Sequence, residues 1–259
     1  MAVKELVRKE FRHLRWIIIT GVLVNCTTAL LIVGAYYFLK KFVGQIPAET
    51  LLMLQEIDII HSVLSIFSDY SHYIWSQWNA KNLFQVAALL VIIIAATQYA
   101  GEAGKKTMTF LLSRPVNRRQ VLTAKCLAVF LALLLFFTTG TVVLLISSRL
   151  FGYRLLNSMI VTAGFLTLLW VYVYYLVGSI VSLFFSEPLP AGVAIGLTGL
   201  LLSVPGLFGG LRPYSIFYQM KATGYFLFAE SPFGSIIAAL VLTGILYFAA
   251  LRVFQTRDY

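Results

Sequence analysis

The sequence predicts an all-α integral membrane protein with six transmembrane helices, an N-terminal amphipathic interfacial helix and an amphipathic outer helix between spans 1 and 2. Three observations predict it. Of the 259 residues 60% are hydrophobic and 12% charged, whereas ordinary soluble domains carry about 25% charged residues. Mean hydropathy is +0.88. Apolar runs near the length that crosses a bilayer, about 20 residues, recur at 16–39, 83–100, 121–147, 159–185, 189–209 and 232–251. A single membrane domain over 1–259 accounts for all of them.

Residues 1–15 read as a separate element. Val3, Leu6, Val7, Phe11 and Leu14 recur at helical spacing, with Lys4, Arg8, Lys9, Arg12 and Arg15 on other faces. Trp16 then stands where an interfacial aromatic belongs. The expectation is a helix lying on the inner leaflet and bending into the first span. That span carries Asn25, Thr27 and Thr28, whose commonest use is hydrogen bonding between helices.

Residues 48–80 are too polar to span. Gln55, Asp58, Ser62, Ser65, Asp69, His72, Ser76 and Asn79 alternate spacings of three and four, which draws one polar face along a helix. Trp75 and Trp78 suit the interface. The segment is expected flat on the outer leaflet or capping the pathway. Within it Asp58 and His61, then Asp69 and His72, repeat one pattern eleven residues apart, close to three whole turns, so both pairs share a face. Solvated helix-face pairing is the favoured reading; two ligands per turn are too few for a structural metal, and no metal is expected.

Span 2 ends in a basic polar insert, EAGKKTMTFLLSRPVNRRQVLTAK, over 102–125. Charged side chains and unpaired backbone are costly in hydrocarbon, so a hairpin over 101–120 must stand in water. Lys125, at the entry to span 3, is expected to snorkel to the surface. Spans 4 and 5 are divided by Ser186-Glu187-Pro188-Leu189-Pro190, where two prolines enforce a tight turn. Span 5 carries Gly192, Gly196, Gly199 and Ser203 as a small-residue stripe, which lets helix backbones approach closely.

Orientation follows from lysine and arginine. Placing both termini and the hairpin inside collects the larger share, including Lys4, Arg8, Lys9, Arg12, Arg15, Lys105, Lys106, Arg114, Arg118, Arg119 and Arg252, on one side. The expected location is the cell (cytoplasmic) membrane, multi-pass, with both termini cytoplasmic. A net charge of +10 would suggest nucleic acid in a soluble chain; here topology explains it, and no nucleic-acid partner is expected. Cys26 and Cys126 fall in or near apolar spans and read as small buried hydrophobes.

The 102–125 segment resembles the loop between the second and third spans of ABC-2-type transporter permeases. The matching positions are Glu102, Gly104, Thr107, Phe110-Leu111-Leu112-Ser113, Arg114-Pro115, Asn117-Arg118-Arg119 and Ala124-Lys125; Lys105-Lys106 depart from the small or acidic residues more usual there. The resemblance implies an ABC exporter subunit forming half of a pathway, with a second permease, identical or paralogous, supplying the rest. It implies that the hairpin docks into a groove on a separate ATPase, through Glu102, Thr107, Met108, Leu111, Leu112, Arg114, Pro115, Arg118 and Arg119. An apolar face at Met108, Leu111 and Leu112 suits helix-in-groove docking, Pro115 ends the helix, and the arginines can pair with partner acids or anionic lipid.

Within that expectation Asn25, Thr28, Thr138, Thr139, Gly192, Gly196 and Gly199 are candidates for the pathway or the seam between half-transporters. Asp58, His61, Asp69 and His72 are candidates for an outer patch facing cationic cargo. Cargo is expected to be amphiphilic, an antimicrobial peptide, lipid or drug. No cofactor is expected in this chain, and ATP and Mg are expected in the partner. The sequence Gly101-Glu-Ala-Gly-Lys-Lys-Thr is not a phosphate-binding loop: Tyr99 stands where the first glycine belongs, and Lys106 where Ser or Thr belongs. Serine-nucleophile and H-E-x-x-H metal motifs are also missing from the sequence, which disfavours an intramembrane enzyme. A non-transporting sensor or scaffold on the same fold is the other alternative.

Overall fold

The computed structural model describes residues 3–43, 45, 69–107 and 117–257. Among them six helices are long and apolar enough to cross a membrane, and there is no strand. We label them α1 (Val3–Val43), α2 (Tyr70–Gly104), α3 (Arg118–Leu150), α4 (Asn157–Ser182), α5 (Pro188–Ser203) and, after two five-residue helices α6 (Ile216–Met220) and α7 (Thr223–Leu227), α8 (Pro232–Thr256).

Helix α4 is the centre of the bundle. In its most apolar stretch 72% of residues are buried within the protein, against 17% for α5 and for α8. Apolar residues on all sides are what a central span requires, because it meets protein rather than lipid in every direction. Trp170 of α4 donates to Ser235 Oγ of α8 at 2.8 Å, and Ser235 donates to Gln219 of α6 at 2.7 Å. Tyr174 of α4 donates to the Ile195 carbonyl of α5 at 2.9 Å. Its ring lies where a Cβ on Gly199 would stand, so that glycine is explained by packing inside one subunit. Pro188 and Pro190 occupy the first turn of α5, where a missing amide proton costs no intrahelical bond.

Helix α1 differs from expectation. Its 41 residues run without a break, about 61 Å at 1.5 Å per residue, twice the hydrocarbon thickness of about 30 Å. Residues 3–15 therefore form no separate helix bending off the first span. Leu6, Glu10 and Leu14 are buried against the bundle. The face read as lipid-seeking is a protein-packing face, and Glu10 lies in the middle of it.

The expected outer helix is also corrected where it is described. Residues 70–80 run straight into span 2 as the first turns of α2, and Trp75 and Trp78 are buried in the core rather than set at the interface. Trp75 stacks on Phe226 at 5.1 Å and donates to the Lys221 carbonyl at 3.1 Å. Tyr70 bonds Ser148 Oγ at 2.6 Å, and Tyr73 donates to the Ile32 carbonyl at 3.0 Å. The large aromatic area of this stretch thus closes the end of the bundle opposite the hairpin. Asp58, His61 and the rest of 48–68 lie outside the described residues.

Candidate functional site

Helices α1, α2, α3 and α4 converge at the hairpin end of the bundle. Helix α2 reaches it through a π-helical turn at Ala96–Ala100. Such a turn widens the hydrogen-bond ladder and frees backbone groups for other partners. Both kinds are used here: the Ala100 amide donates to Ser182 Oγ of α4 at 3.2 Å, and the Gln98 carbonyl accepts from Lys125 Nζ at 3.2 Å.

Lys125 is fully buried and does not snorkel. Its ammonium lies 2.9 Å from Glu102 Oε1 and 3.2 Å from Glu10 Oε2. With the Gln98 carbonyl, these contacts offer one acceptor for each of its three protons. Its position packs it between α1 and α2, so its stem has no path to the surface. Gln98 Nε2 donates to Glu10 Oε2 at 3.3 Å, and Gln98 Oε1 accepts from Tyr175 of α4 at 2.8 Å. Since the Tyr175 proton goes to Gln98, Tyr99 is the donor in its 3.3 Å contact with Tyr175. The network binds α1, α2, α3 and α4 together. Lys9 Nζ, 3.6 Å from Glu10 Oε1, balances the second carboxylate, so two acids meet two bases. Glu102 Oε2 is buried and has no partner among the described residues.

Beyond Glu102 the chain turns. Lys106 adopts a left-handed φ of 56°, and Thr107 Oγ1 donates to the Glu102 carbonyl at 3.2 Å. Gly104 packs its Cα against the Ser186 carbonyl in the α4–α5 turn, in space that a Cβ would overlap. On the return, Asn117 caps α3: its side chain accepts from the Arg119 amide at 3.0 Å, and Gln120 accepts from the Asn117 amide at 3.2 Å, the reciprocal pair of a capping box. Arg118 donates to the carbonyls of Phe254, Gln255 and Arg257 at 3.0, 2.9 and 2.7 Å, so it closes the C-terminal end of α8. Arg119 is exposed. Met108, Leu111, Leu112, Arg114 and Pro115 lie outside the described residues. The N-terminal helix, both arms of the hairpin and the C-terminus therefore share one end of the bundle.

A model of the ABC-2 family transporter proteins matches residues 3–217. The chain belongs to the ABC-2 transporter family. No curated protein matches it. Membership makes this a multi-pass transporter membrane domain, of a kind that is generally non-catalytic and typically pairs with an ABC ATPase subunit.

The remaining candidates of this ABC-2 protein are scattered. Asn25 donates to the Phe136 carbonyl at 2.8 Å and abuts Gly140, joining α1 to α3. Thr28 donates to the Asn25 carbonyl at 2.9 Å. Thr138 and Thr139 donate to carbonyls one turn back in their own helix, a bond that frees no hydroxyl proton for a ligand. Gly192 faces Ile92 and Ala96 of α2, and Gly196 has open space beside it. Asp69 caps the start of α2 through the Ser71 amide at 2.9 Å, and His72 bonds the same carboxylate at 2.8 Å. Burial would raise the Asp69 carboxyl, but the His72 and Ser71 hydrogen bonds outweigh it and hold it below the usual value. Among the described residues no cluster of three metal-ligating side chains exists.

Sequence reasoning missed Glu10 and Gln98. Glu10 was legible as an acid on the apolar stripe of Leu6 and Leu14, a polar group that burial permits only with a partner. Gln98 carries no such signal.

Proposed function

We infer that this chain is the permease subunit of an ATP-driven exporter in the cell membrane, with both termini and the hairpin cytoplasmic. The hairpin around Thr107, Met108, Leu111, Leu112, Arg114 and Pro115 docks on a separate ATPase that holds ATP and Mg. A second permease, identical or paralogous, completes the pathway, and the cargo is amphiphilic.

The observation that carries this reading is the seating of the hairpin. One arm leaves from Glu102 and the other leads into Lys125, and these two residues are bonded to each other inside the bundle. A push on the hairpin is thereby delivered to α1, α2 and α3 together instead of being lost in a flexible loop. Arg118 and Gly104 fix the same base to α8 and to the α4–α5 turn.

The test is co-purification with an ABC ATPase subunit co-expressed with this chain. Leu111→Asp with Leu112→Asp should abolish recovery of the ATPase while the permease still inserts and remains monodisperse. Retained ATPase would refute the docking face. Labelling of single cysteines at Lys105 and at Arg257 should occur from the cytoplasmic side for both; labelling from outside would refute the orientation.

A further inference from the structure

A groove of two adjoining cavities lies along the seam between α1 and α2. Its deeper part is an apolar cavity of ≈ 390 Å³ walled by Trp16, Thr20 and Val24 of α1 and by Val86, Leu89 and Ile93 of α2. Its mouth is a second cavity of ≈ 350 Å³, at the hairpin end, walled by Lys9, His13, Thr97, Glu102 and Lys105. Ile17 lines both, so they adjoin along the surface.

Its chemistry changes once along its length. The carboxylate at the mouth, Glu102, is already engaged by Lys125, and Lys9 is engaged by Glu10. Lys105 has no ion-pair partner among the described residues. One positive charge is therefore left over at the mouth, and none lies deeper. From Trp16 to Val24 is eight residues of helix, about 12 Å, against about 15 Å for one leaflet of a hydrocarbon core about 30 Å thick. Trp16, with the Arg15 guanidinium 5.3 Å from its ring, marks the level where headgroups meet chains. A basic mouth at headgroup level above an apolar slot one leaflet deep has the shape and charge of a single anionic phospholipid.

We propose that this seam is a binding site for an anionic glycerophospholipid, its phosphate beside Lys105 and one acyl chain between Thr20 and Leu89. Leu90 packs directly over Gly21 and closes the floor of the slot, and the unpaired charge at the mouth favours an anionic lipid over a second protein helix. The mouth shares Glu102, Lys105 and Thr107 with the base of the hairpin, but lipid binding is read on the chain without an ATPase, so either assignment can fail without the other.

The experiment is thermal unfolding and native mass spectrometry of the full chain in detergent, titrated with phosphatidylglycerol, with phosphatidylcholine of the same chains, and with glycerol phosphate. Phosphatidylglycerol should raise the midpoint and remain bound, phosphatidylcholine should do so more weakly, and glycerol phosphate should do neither. Lys105→Gln should weaken phosphatidylglycerol about fivefold, the effect of one basic residue at an anionic headgroup, and leave phosphatidylcholine unchanged. Thr20→Trp should remove both by filling the slot; Ile93→Trp, from the opposite wall, serves the same end if that variant fails to fold. Equal stabilisation by the two lipids, protection by glycerol phosphate alone, or full binding by a folded slot-filled variant would each overturn the assignment.

Discussion

Lys125 Nζ and Glu102 Oε1 lie 2.9 Å apart inside the protein, the glutamate near the end of α2 and the lysine near the start of α3. The pair is a crossbar between α2 and α3, and Glu10 extends it to α1. Removing charges from water is expensive, and their mutual attraction repays that only when nearly every proton and lone pair is used. Here each Lys125 proton has an acceptor.

Lys125→Met should therefore cost about 3–5 kcal/mol, the usual penalty for leaving buried charge unpaired. Glu102→Gln should cost less, because Lys125 keeps Glu10 and the Gln98 carbonyl. Thermal unfolding in detergent checks the order; a Lys125→Met protein as stable as wild type would show that the crossbar contributes nothing.

Gly104→Ala should destabilise by about 1–3 kcal/mol, the range for overpacking. Its Cβ would overlap the Ser186 carbonyl, a backbone atom that cannot swing aside. Gly196→Ala, with open space around it, should be neutral in the same assay and serves as the control.

Tyr175→Phe removes the donor to Gln98 Oε1 and leaves a buried acceptor unmet. The expected loss is about 1–3 kcal/mol. Tyr174→Phe is the comparison, since it leaves only the Ile195 carbonyl, which keeps its helical partner.

Arg118→Gln should loosen the last turn of α8 without disturbing the bundle. Faster amide exchange confined to 252–257 is the expected result, because three carbonyls lose their donor. Unchanged exchange would mean that water replaces the guanidinium at no cost.

Asp69 should contribute to the cap of α2 at neutral pH and cease to do so in acid. Its pKa is held below the usual 3.8, so the folded state binds the proton less readily than the unfolded one. The contribution is complete above the unfolded value and fades as pH falls through the folded one. Asp69→Ala should remove it at all pH, at about 0.5–2 kcal/mol for a lost cap, measured by exchange at 70–74.

The six spans and the proline turn before α5 were determined by the sequence alone. Each rests on a property of a short stretch: length of an apolar run, or a ring without an amide proton. The small-residue stripe was visible too, but whether Gly199 met a neighbour in the same subunit depended on where Tyr174 fell.

What the tertiary structure alone decided is where polar residues at the span ends find partners. The sequence separates Glu10, Gln98, Glu102 and Lys125 by up to 115 positions, and no local period links them. An amphipathic stripe reads alike whether lipid or protein covers it, so Leu6 and Leu14 could not reveal that α1 continues unbroken against the bundle. Trp75 and Trp78 were ambiguous for the same reason, since an aromatic ring suits an interface or a core equally. Burial is a property of the neighbours, and the neighbours come from helix packing.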